Sequence, residues 1–166
     1  MNLGYIRTHS GKGKLAIIVL GIIVLIVGLL SHYESHWRKL YNRPNDEMRE
    51  RKKDVPRLSI EEYYVAMIII FLILSLVSIV GSFVIGMSKG RVKLIDFGYH
   101  ILAALLLLIA GSLYISSAKK IGVLELEWDN GDPMILLLGL KYFAGSLTII
   151  QTILYCVVAI FIWKEV

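Results

Sequence analysis

Polar positions all but vanish from four long stretches of the chain, at residues 15–33, 65–87, 97–118 and 142–163. The first is unbroken in its apolar character from Leu15 to Leu30, and the second runs through 23 residues without a charge. The third lies between Asp96 and Lys119, the fourth between Lys141 and Lys164. Crossing a bilayer takes about 20 apolar residues at ~1.5 Å rise each. None of the stretches alternates apolar and polar positions as an outer-membrane strand does. A helix satisfies its own backbone hydrogen bonds in lipid, so each stretch predicts a membrane-spanning helix. The expected architecture is all-α and membrane-integral, an antiparallel bundle of four transmembrane helices in one domain over residues 1–166.

The flanks sharpen these boundaries. Arg7, Lys12 and Lys14 precede the first run as the basic region of a signal peptide would. Its apolar stretch is long for that role, however, and Ser31-His32-Tyr33-Glu34 offers no small-residue cleavage site, so it reads as a retained span. Tyr33, Trp37, Tyr63, Tyr64, Tyr142, Phe143 and Trp163 cluster at the ends of the runs, where amphipathic rings favour the headgroup layer. Ser59-Ile60-Glu61-Glu62 fits a capping box, with Ser59 as N-cap, Glu62 at the third helical position, and Leu58 and Tyr63 as its staple. That motif starts the second helix about one turn outside the membrane.

The three connections differ in kind. Residues 34–62 are polar and nearly neutral, with eight Lys/Arg against seven Asp/Glu. Within them acids lead bases over residues 46–53, which suits either a short helix or a solvated charge run. Residues 88–93 are so brief that the second and third helices must form an antiparallel hairpin. In the last loop, residues 123–128 alternate as a strand would, and Asn130-Gly131 suits a tight turn. Residues 135–140 then either return as a second strand, completing a short extracellular hairpin, or extend the fourth helix outward.

Composition agrees with this reading. Hydrophobic residues make up 57% and charged residues 19% of the 166 positions, against about 45–50% and ~25% in soluble domains. Cys156 is the single cysteine, which excludes an internal disulfide framework and a cysteine-rich metal site. No cofactor, no metal and no nucleic-acid partner is expected; the partners are the lipid bilayer and other integral membrane proteins, itself included. Four spans put both termini on one side. Lys/Arg residues number seven on that side and ten on the other, although residues 88–93 are half basic. The positive-inside rule is therefore divided between total and density.

The third span opens Leu94-Ile95-Asp96-Phe97-Gly98-Tyr99-His100-Ile101-Leu102-Ala103-Ala104. The fourth reads Leu140-Lys141-Tyr142-Phe143-Ala144-Gly145-Ser146-Leu147 and then Ile153-Leu154-Tyr155-Cys156-Val157-Val158-Ala159. With a short N-tail, a long first loop, a short basic middle turn and a short C-tail, the chain resembles the MARVEL-like four-span proteins. The fourth span is similar to that of small arthropod members of the snakeskin type, found at smooth septate junctions, and departs from them at Val157 and Val158. The resemblance implies cytosolic termini, two outer loops, a plasma-membrane location and a membrane-organising or cell-junction role without catalysis. Other four-span families lack their marks here. Claudins and tetraspanins need loop cysteines. Haem-carrying bundles need paired histidines, and only His100 lies inside a span.

Ionisable groups at membrane depth are functional candidates. Asp96 and His100, four apart, share a helix face. Asp96 is placed to meet Lys14 or Lys164, and His100, about one turn deeper, to accept a hydrogen bond inside the bundle. Lys141, at the opposite face, is expected to snorkel or to pair with the acidic last loop. Small and hydroxyl residues recur at helical spacing as Gly145, Thr148, Gln151, Thr152, Tyr155 and Ala159 on the fourth span, and as Ser75, Ser78, Ser82 and Gly86 on the second. Such stripes let helices approach and hydrogen-bond, either inside the bundle or against a partner. Cys156 has no base at hand to make it a nucleophile. The expected function is non-enzymatic lateral assembly in the membrane. The rival is a channel or transporter subunit using Asp96, His100 and Gln151 along a polar path, or an accessory subunit of a larger membrane complex.

Overall fold

The computed structural model describes residues 3–41, 56–85, 90–123 and 135–164, and among them every regular element is helical. A 3-10 turn, Leu3–Arg7, leads into α1 (His9–Tyr33); α2 (His36–Tyr41), α3 (Leu58–Ile85), α4 (Gly90–Gly122) and α5 (Leu138–Lys164) follow. Four of these, α1, α3, α4 and α5, are long and apolar enough to cross a membrane.

Each of the four outruns its apolar stretch. The difference is largest for α4, which begins at Gly90 rather than near residue 97, so that Arg91, Val92 and Lys93 form its first turn instead of a loop. Its 33 residues span roughly 50 Å, well beyond the ~30 Å hydrocarbon layer. Charge ends a hydropathy run without ending a helix, because long basic side chains are solvated while the backbone keeps its bonds. α3 starts at Leu58, so Ser59 sits exposed within the first turn rather than as its cap. Leu58 is instead anchored by packing on Trp37 and Ile121. Of the two readings for residues 135–140, the helical extension holds from Leu138 onward. The short helix over 46–53, the first strand of the hairpin and Gly86 lie outside the described residues.

The chain before α1 is also ordered by local chemistry. Thr8 caps α1, its Oγ1 accepting from the Gly11 N–H at 3.1 Å. The 3-10 turn folds back so tightly that a Cβ on Gly11 would lie 2.1 Å from the Tyr5 carbonyl oxygen. At the other end, α2 is tied to the segment before α5: the His36 N–H donates to the Ile135 carbonyl at 3.0 Å and the Ser35 hydroxyl to the Leu136 carbonyl at 3.0 Å. Leu137, with φ 51°, makes the left-handed corner that turns this segment into α5.

Contacts run α1–α3, α3–α4, α4–α5 and α5–α1, closing a cycle, with α4–α5 the most extensive seam. Glycine sets that seam: a Cβ on Gly111 would lie 3.2 Å from the Gly145 carbonyl oxygen, and one on Gly145 3.2 Å from that of Gly111. The interior holds Val24, Phe71, Leu107, Tyr114 and Tyr155. The outward faces are no more polar, with Val77, Ile95 and Val19 exposed. Aliphatic groups inside and outside are what a lipid surround requires.

Candidate functional site

Charged side chains enter the interior at two places. The inward stripe of α1 includes Lys14, Ile17, Ile18, Gly21, Val24, Gly28, Ser31 and His32, spaced by three and four. Lys14 therefore points inward, leaving it 2% exposed. Asp96 and His100 open the corresponding stripe of α4. Lys14 Nζ donates to Asp96 Oδ2 at 2.6 Å and to Ser82 Oγ at 2.8 Å. The Ser78 hydroxyl donates to Asp96 Oδ1 at 2.6 Å, and the Ser82 hydroxyl to the Ser78 carbonyl at 2.8 Å. His100 Nδ1 donates to the Asp96 carbonyl at 2.7 Å and lies 3.5 Å from Oδ1. The Tyr5 ring sits 5.6 Å from Lys14 Nζ, within range of a cation–π contact. Both charges are thus matched and hydrogen-bonded, as burial demands.

The second cluster lies where α1 ends and α3 and α5 begin. Glu61 and Lys141 are wholly buried, and Lys141 Nζ donates to Glu61 Oε1. His32 Nδ1 lies 3.0 Å from Glu61 Oε2. Beneath Lys141 is the Tyr114 ring, its centroid 5.6 Å from Nζ. Ser31 donates to the Gly28 carbonyl at 2.9 Å and therefore accepts from the Tyr114 hydroxyl at 2.7 Å. Tyr64 stacks on Tyr114 with centroids 4.0 Å apart and planes 4° from parallel. Thr148 donates to the Ala144 carbonyl at 2.9 Å and so accepts from Tyr64 at 3.0 Å.

The two clusters follow one recipe. Each joins a lysine and a carboxylate from the first two turns of two helices, with a histidine beside the acid, a tyrosine ring beside the lysine, and a further tyrosine three residues after the acid (Tyr64, Tyr99). Each pair bridges helices that are not neighbours in the cycle: α1 to α4, and α5 to α3. Between them Ser75 Oγ gathers the hydroxyls of Tyr155 at 2.6 Å and Tyr99 at 2.7 Å. The arrangement holds opposite charges in apolar surroundings and fixes the relative heights of four helices.

Of the residues singled out from the sequence, Asp96 and His100 share a helix face and Asp96 meets Lys14, whereas His100 donates to the Asp96 carbonyl of its own helix. Lys141 does not snorkel; it is buried against Glu61 of α3, and the acids of the last loop expected to pair with it lie outside the described residues. Gly145, Thr148, Thr152, Tyr155, Ala159, Ser75 and Ser82 are buried, and Ser78 is half-buried. Gln151 is turned toward α1, its Nε2 donating to the Ile17 carbonyl at 3.5 Å. Glu61, His32, Ser31 and Tyr114 belong to the site without having been marked by sequence. The signal was present in the signs of the helix starts. Lys14 and Asp96 open spans at one end, Glu61 and Lys141 at the other, and each end carries one charge of each sign. Compared with known proteins, the chain matches no family model, no curated protein and no solved structure.

Proposed function

We propose that this is an antiparallel four-helix membrane protein that organises its membrane by lateral assembly, with MARVEL-like character and a junctional setting in the plasma membrane. One observation carries the reading. The charges inside the helices are matched to one another across the diagonals, and the faces left outward are aliphatic. Among the described residues it is aliphatic helix surface, more than polar side chain, that faces outward to whatever the molecule works with. The termini are then cytosolic, the loops between α1 and α3 and between α4 and α5 outside, and the partners are lipids, further copies of the chain or other integral membrane proteins.

Proximity labelling of the tagged protein in its native cell tests this. Junction or scaffold components as neighbours are the expected result; transport machinery as neighbours refutes it. A tag at either terminus is expected to be reachable only from the cytosol. A second reading, a channel or transporter subunit, draws on the Asp96–His100 pair and the Tyr99–Ser75–Tyr155 hydroxyls. An uptake or conductance measurement with Asp96→Asn separates the two, since an unchanged signal removes the transport reading.

A further inference from the structure

We propose that the cleft between α3 and α4 binds one neutral, single-chain lipid alcohol, whose hydroxyl donates to the Asp96 carboxylate. The proposal rests on reading α3 and α4 as membrane spans, and is independent of lateral assembly. The cleft encloses about 280 Å³; exposed Leu74, Val77 and Ile95 form its walls, and Ser78, Asp96 and Tyr99 line its polar side. It lies along one of the sparser seams of the cycle and on the least covered span: 28% of the α3 window is buried, against 39–44% for the others.

Four features select the occupant. The first is an unfilled acceptor. A carboxylate offers about four lone-pair sites. Among the described residues Lys14 takes one on Oδ2 and Ser78 one on Oδ1, with His100 Nδ1 more distant at 3.5 Å from Oδ1, and the Asp96 side chain keeps 10% of its surface exposed. An acceptor open to hydrocarbon is unfavourable until a donor covers it. The second is charge. Lys14 already balances Asp96, so an ammonium would add net charge where screening is weak, an anion would be repelled by the carboxylate, and a hydroxyl adds none. The third is depth. Asp96 lies six residues into α4, roughly 9 Å from its start, just below the basic first turn. That is where an amphiphile's polar end meets its apolar body. The fourth is size. The volume falls just below the ~300–1,000 Å³ of ligand sites, which suits one chain better than a two-chain or fused-ring lipid.

The full chain, reconstituted in phosphatidylcholine nanodiscs, is exposed to a photoactivatable hexadecanol, with the matched hexadecane and hexadecylamine probes alongside. Adducts from the alcohol are expected on α3 and α4 residues of the cleft, competed by plain hexadecanol. They should exceed those of the alkane about fivefold, the effect of one net hydrogen bond. Gly81 lines the cleft, and nothing lies within 4 Å of a Cβ placed there. Gly81→Leu is therefore expected to fold normally and to lose the competed adducts, and an unchanged melting temperature without probe checks the fold. Val77→Trp, one turn earlier on the same α3 wall, fills the cleft with a larger side chain and should do the same. Equal labelling by alkane and alcohol, preferential labelling by the amine, or labelling that survives both variants overturns the proposal. Displacement by a two-chain or fused-ring alcohol as effective as hexadecanol overturns the single-chain assignment. A chain that stays outside the nanodisc overturns the span reading and this proposal with it.

Discussion

Replacing Lys14 by Met keeps the length of the side chain and removes its charge. The Lys14 Nζ to Asp96 Oδ2 separation of 2.6 Å corresponds to a gross attraction of about 6 kcal/mol at an effective dielectric constant of ~20. Desolvating the two ions costs several kcal/mol each, so the intact pair is close to neutral in net effect. Removing one member leaves that desolvation uncompensated at the other, and Lys14→Met is expected to lose about 3–5 kcal/mol. Asp96→Asn strands the ammonium and should lose a similar amount. The double variant removes both ions, keeps an acceptor for Ser78, and is expected to return to within about 1 kcal/mol of the parent. Reversible denaturant unfolding of the reconstituted protein, followed by circular dichroism, measures all four corners of the cycle. A single-variant loss below about 1 kcal/mol, or a double-variant loss equal to the sum of the singles, would refute the claim that these charges are buried against each other.

Other expectations follow from the same geometry. Gly11→Ala drives a methyl into the Tyr5 carbonyl and should cost about 1–3 kcal/mol, with faster trypsin cleavage at Arg7. At Gly81, where the space is open, Ala should be neutral or stabilising by up to about 1 kcal/mol. Tyr64→Phe keeps the stack on Tyr114 and loses the bond to Thr148, for about 0.5–1.5 kcal/mol; Tyr64→Ala loses both and should cost about 3–5 kcal/mol. Ser75→Ala deprives buried Tyr155 and half-buried Tyr99 of their shared hydroxyl and should cost about 1–3 kcal/mol, read by the same unfolding assay.

The four long helices were legible because a run of apolar residues has one stable backbone form in lipid. Their ends were not. Arg91 and Lys93 stop a hydropathy count, yet they sit in the first turn of α4, where the helix continues past the apolar layer. Asp96 and His100 could be found because they stand four apart on one helix. Glu61 was concealed in a motif read as a cap, since its partner Lys141 is 80 residues away and no local pattern joins them. The small-residue stripe of α5 showed which face packs, and the Gly111–Gly145 approach gives the physical reason. What sequence alone left open was whether the stripe faced inward, because small residues serve a partner and a core equally well. The α2 corner and the left-handed Leu137 rest on contacts between distant segments, and left no periodic signal.

The diagonal ion pairs also constrain how the chain is made. Lys14 enters the membrane with α1, but its counter-ion is 82 residues downstream, a wait of about 4–16 s at common translation speeds. Glu61 then has only His32 beside it until the final helix arrives with Lys141. Pairing cannot finish helix by helix; each early helix waits for a later one to bring the opposite sign. A nascent polypeptide cut short before α5 would hold Glu61 beside His32 but without its lysine, whereas the finished product sets Lys141 against it.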